Sequence, residues 1–119
     1  MDIIKISKEI TRCILALRKL TDELDVRVSD KAYSVGEYEK KLAQTMLELR
    51  NGKVILFDGK EESYSQTTGL ERVAKGICYK ERIKQDLTDS ALRALYVKMD
   101  NVKTEIMALQ SKLKYIESE

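Results

Sequence analysis

Between Ile3 and Leu24 the chain sets apolar residues at alternating steps of three and four: Ile3, Ile6, Ile10, Cys13, Leu17, Leu20 and Leu24. That alternation is the a/d seam of a coiled coil, held for three heptads. Lys5, Lys8, Glu9, Arg12, Arg18, Lys19 and Asp22 fall off the seam, where water solvates them. Ile14 widens the stripe at one point. Across Asp25-Val26-Arg27-Val28-Ser29-Asp30 the apolar pattern falters, since two β-branched residues and a Ser-Asp pair lower helix propensity. It resumes through Ala32, Val35, Tyr38 or Glu39, Leu42, Met46 and Leu49. Two readings fit: one helix over residues 3–50 with an irregular middle, or two helices meeting near residue 29. The single helix is preferred because no strong breaker interrupts it. Asn51-Gly52 is a stop, both residues tolerating the left-handed conformation that ends helices.

Val54-Ile55-Leu56-Phe57 is the one β-like run, and Asp58-Gly59 follows it as a tight-turn dipeptide before Lys60-Glu61-Glu62-Ser63-Tyr64. The pattern predicts a small hairpin over 53–65. Such a hairpin is marginal alone, so either Ile55 with Phe57 or Val54 with Leu56 should dock on a helix. A short helix is expected over 68–75, with Thr68 and Glu71 at capping-box spacing and Gly76 ending or kinking it. A last helix over 77–117 carries the second seam: Leu92, Leu95, Met99, Val102, Ile106, Leu109, Leu113 and Ile116. Upstream, Ile83, Leu87 and Ala91 continue the stripe at steps of four.

These elements predict an all-α protein, a single helical domain over 1–119 of long helices packed as a coiled coil or bundle, with one hairpin insertion. Composition supports that reading: no proline, five glycines, 35% charged and only 6% aromatic residues. So thin a body buries little surface by itself, and the two seams are therefore assigned to a homo-oligomer. An antiparallel pair closed within one chain is the alternative, and no simple rule for oligomer number applies to the mixed a positions.

Chemistry is sparse. Without histidine, the usual general base, the Ser-His and Cys-His pairs and most transition-metal sites are missing. The glycines form no phosphate-binding loop. Asp86 and Asp89 stand one turn apart, but two carboxylates without a third ligand make a poor metal site, with Lys84 and Arg93 near enough to neutralise them. Cys13 and Cys78 read as small buried hydrophobes. The expectation is a non-enzyme without cofactor or metal. No run reaches the length of a membrane span, which predicts a soluble cytoplasmic chain with no membrane partner.

Charge suggests a binding role. The whole chain carries +2, but Leu70 to Lys84 alone carries +3 through Arg72, Lys75, Lys80, Arg82 and Lys84 against Glu71 and Glu81. Tyr79 lies inside this run and Tyr64 just before it. Cations that follow phosphates, interleaved with rings that stack on bases, suit single-stranded DNA. Lys40, Lys41, Arg50 and Lys53 form a second basic group. The plainer reading is that these lysines keep a coiled coil soluble while the tyrosines pack between helices.

Tyr38-Glu39-Lys40-Lys41-Leu42-Ala43, Leu47-Glu48-Leu49-Arg50, Leu70-Glu71-Arg72-Val73-Ala74-Lys75-Gly76 and Ile106 to Leu113 resemble segments of small helical proteins from phage early regions. In layout the chain is similar to the UvsY-type phage recombination mediators: long first helix, glycine-containing connector, long last helix. That resemblance implies a ring-forming accessory protein of DNA recombination or replication in a bacterial host's cytoplasm. Single-stranded DNA and a recombinase or single-strand-binding protein would be its partners. The hairpin has no counterpart there. The competing expectation is a protein-interaction module, such as an assembly chaperone or a phage-encoded inhibitor of a host protein, or else a structural phage component.

Overall fold

The computed structural model runs α1 (Ile3–Arg50), β1 (Val54–Phe57), β2 (Lys60–Ser63), α2 (Thr67–Ile77) and α3 (Tyr79–Ser118). It describes residues 3–57, 59–63 and 67–118. The helical class and the hairpin insertion are as the residue pattern predicts.

The first helix is unbroken over 48 residues. Its inward face explains why residues 25–36 stay helical. After Leu24 the steps of three and four continue through Arg27, Lys31, Ser34 and Tyr38, all buried or half-buried. The heptad persists, with polar occupants. Ala32, expected on the seam, is exposed, and Ser34 points inward in its place. Ser34, the one of these whose side chain competes with helix backbone, returns its hydroxyl to the Lys31 carbonyl at 2.9 Å. Arg27 donates to Glu23 one turn back at 3.0 Å. Thr21 donates to the Leu17 carbonyl at 2.9 Å, and Thr45 to that of Lys41 at 2.7 Å.

The helix ends as Asn51-Gly52 predicts. Gly52 sits at φ +89°. Its N–H donates to the Leu49 carbonyl at 3.0 Å, and the Lys53 N–H to that of Glu48 at 3.1 Å. These are the two reversed bonds of a Schellman cap.

In the hairpin, Val54 pairs with Ser63 and Phe57 with Lys60, Gly59 taking φ +77° at the turn. Ile55 packs on Leu49, Leu70 and Ala74, while Val54 and Leu56 on the other face are exposed. The expected roles of Asp58, Tyr64 and the Phe57 side chain lie outside what the structure describes.

Gly76 does not end its helix. The chain continues to Ile77, and the single break falls at Cys78, bridged by Cys78 N–H to Ala74 carbonyl (3.0 Å) and Arg82 N–H to Cys78 carbonyl (3.1 Å). Gly76 holds no positive φ that would turn the chain.

Contacts gather into two compact units, residues 1–29 with 90–119 and residues 30–89. In the first, Ile6, Cys13 and Leu109 form the core, with Ile10, Val102, Ile106, Leu113 and Ile116 packed around them. Leu92, Leu95 and Met99 are also buried. Arg12 meets Glu105 while Ile6 lies beside Ile116, so the helices run antiparallel. The seams assigned to an oligomer thus close on each other within one chain. In the second unit, Leu49, Leu70 and Ala74 are buried beneath Leu42, Met46, Ile55 and Val73. Here too the pairing is antiparallel: Lys31 with Asp89, Glu37 with Lys84, Thr45 with Cys78.

Candidate nucleic-acid interface

The six residues singled out for DNA all fall in the second unit. Arg72 and Lys75 lie on α2, and Tyr79, Lys80, Arg82 and Lys84 on the first turns of α3, every one exposed. Their exposure follows from the helical phase. Cys78, Glu81, Gln85 and Thr88 take the inward steps of three and four that lead to Leu92. The residues between them must face water.

That phase corrects one expectation. Ile83 and Leu87, placed on the inner stripe by their apolar character, are 52% and 65% exposed. Polar Glu81, Gln85 and Thr88 occupy the inward positions instead, and polar groups of α1 meet this stretch of α3 at Thr88 and Asp89. The hydroxyls of Ser34 and Thr88 lie 2.6 Å apart, and Lys31 reaches Asp89 at 2.8 Å. A reading that searched for apolar residues had no means of finding this segment.

The cations divide into two groups. Lys75 pairs with Glu71 at 3.1 Å and Lys84 with Glu37 at 3.2 Å. Among the described residues, Arg72, Lys80 and Arg82 have no ion pair. Tyr79, 54% open to solvent, stands directly before Lys80. Residues 30–89 contain eleven basic and eleven acidic side chains, so positive potential here is local and owes nothing to the unit's net charge.

In the second basic group, Lys40, Lys41, Arg50 and Lys53 are also exposed. Lys53 is engaged: its ammonium lies 2.8 Å from Glu48. The hydrogen bond and charge of Lys53 hold the Glu48 carboxyl below the ordinary glutamate range.

Neither cysteine offers chemistry to this surface. Both are free and buried. Burial, reinforced by the Glu105 carboxylate, pushes the Cys13 thiol up from its ordinary range, away from the reactive thiolate. Asp89 is held by Lys31, and among the described residues no three Cys, Asp or Glu side chains gather as a metal would require. Among the same residues no helix is long and apolar enough to cross a membrane.

Compared with family models, with curated proteins and with solved structures, the chain matches none.

Proposed function

We propose that this chain is a non-catalytic accessory protein of phage DNA recombination or replication that holds single-stranded DNA at the α2–α3 junction. The observation that carries the reading is the set of exposed guanidinium and ammonium groups on Arg72, Lys80 and Arg82 that lack an acidic partner among the described residues, next to an exposed tyrosine ring. An ion pair must be broken before a lysine serves a phosphate, so Lys75 and Lys84 contribute less. The three unengaged cations bind phosphates by releasing counterions, and Tyr79 stacks on a base. Binding is therefore weak per protomer, indifferent to sequence and steeply salt-dependent.

The test is fluorescence anisotropy of a labelled poly-dT strand with wild type and with Lys80→Glu/Arg82→Glu. Both positions are exposed, so the variant keeps its helical circular dichroism. Loss of binding on the double reversal supports the reading; unchanged affinity rejects it.

A protein-docking role is the second reading, and one observation favours it. Val54 and Leu56 on the outer face of the hairpin are 50% and 75% exposed, a surface that DNA binding does not use. If Leu56→Glu abolishes function in a recombination assay while poly-dT binding persists, the hairpin is the working surface.

A further inference from the structure

In the first unit, α1 turns a second strip away from the core. Ile4, Leu15 and Val26 are 63%, 52% and 57% exposed. They are spaced by eleven residues, three helical turns plus a small remainder, so all three share one narrow strip. That strip lies opposite the buried Ile6 and Cys13. Lys8 and Asp22, both exposed, lie on the same strip, Lys8 one turn inside Ile4 and Asp22 one turn inside Val26.

The arrangement is self-complementary about Leu15. Placed antiparallel on a second α1, Ile4 meets Val26 of the second copy, Leu15 meets its own equivalent, and Lys8 meets Asp22 twice. A parallel pairing in register would instead oppose Lys8 to Lys8 and Asp22 to Asp22. The like-charge approach left in the antiparallel register, Arg12 near Lys19, is blunted because Arg12 lies 2.7 Å from Glu9 and 3.4 Å from Glu105. A residue i that meets j while j meets i is the signature of a twofold interface. Charge chooses the direction, and the apolar spacing chooses the register.

We propose that this strip is a homodimer interface, a second copy of the chain docking antiparallel through Ile4, Leu15 and Val26. It uses none of the residues assigned to DNA and stands whether or not that assignment does. With three apolar side chains per copy the contact is small, and a dissociation constant on the order of 10 µM is expected.

Sedimentation equilibrium reads the association, and directed cross-linking reads its geometry. Wild type should dimerise. Leu15→Glu should weaken the dimer at least tenfold, as should Lys8→Asp, and Lys8→Asp with Asp22→Lys should restore it. Leu15→Cys, oxidised by glutathione disulfide, should join two chains through one disulfide between the two introduced thiols, as two glutathione thiols are released. Met107→Cys, at a position 65% exposed on α3, should not cross-link at a comparable rate. The native thiols are buried and stay out of the reaction. A monomer at every concentration, a dimer that ignores Leu15→Glu, or equal cross-linking at Met107→Cys would overturn the proposal. The cross-link decides the matter even where a charge variant is poorly folded.

Discussion

The hydroxyl pair of buried Ser34 and half-buried Thr88 in the second unit permits a quantitative test of how a polar seam is held. Ser34 is 0% exposed, and its Oγ lies 2.6 Å from Thr88 Oγ1. Each hydroxyl also reaches a carbonyl of its own helix at 2.9 Å, Ser34 that of Lys31 and Thr88 that of Gln85. Two protons therefore serve three hydrogen bonds, and one carbonyl contact is always forgone. When Thr88→Val removes one hydroxyl, the Ser34 proton turns to the Lys31 carbonyl and nothing is orphaned. Each of Ser34→Ala and Thr88→Val should then cost about 1 kcal/mol, the net value of one hydrogen bond, well short of the ~3 kcal/mol of a stranded buried group. The double variant should cost about 2 kcal/mol, because the carbonyl bond that survives in each single variant is lost as well. The cycle should thus be additive, with a coupling near zero, because each surviving hydroxyl replaces the shared bond with one to its own helix. Urea unfolding followed by helical circular dichroism measures all four proteins. A double variant no costlier than either single, or a single variant costing about 3 kcal/mol or more, would refute the proton count.

Three further outcomes follow from local geometry. Gly36 lies inside α1 with nothing within 4 Å of an added Cβ, whereas Gly52 holds φ +89°. Gly36→Ala should raise the midpoint of thermal unfolding by about 4 °C, and Gly52→Ala should lower it by a similar amount. Glu48 titrates below the ordinary glutamate range because of Lys53. Its small stabilising contribution is present above the unfolded-state pKa and lost as pH falls through the depressed folded value. Carboxylate NMR should show Glu48 returning toward the ordinary range in Lys53→Met. Both cysteines are buried, so a thiol reagent should modify neither in native protein at neutral pH and both once urea unfolds the chain.

Helical class, hairpin position and the Schellman stop at Asn51-Gly52 were legible because each rests on short-range chemistry: heptad spacing, β-branched clustering and tolerance of positive φ. Legibility failed where the seam turned polar. Arg27, Lys31 and Ser34 on α1, with Glu81, Gln85 and Thr88 on α3, keep the heptad spacing but carry the wrong side chains for an apolar search. Ile83 and Leu87 attracted that search and face solvent. Spacing alone, carried forward from Leu24 or back from Leu92, would have found the inward positions. Exposure of the basic residues was readable, but the engagement of Lys84 was not. Its partner Glu37 lies 47 residues away and becomes adjacent only when the helices pair. Whether the seams closed within one chain or between chains was equally undetermined, since heptad spacing serves both.

The salt dependence of poly-dT affinity tests the central claim most directly, measured for wild type and for Arg72→Gln/Lys80→Gln/Arg82→Gln. If these three cations contact phosphates, log affinity should fall linearly with log salt, and the triple variant should flatten that slope by about 2, roughly 0.7 per lost contact. A wild-type slope near zero, or a variant with the wild-type slope and affinity, would contradict the account.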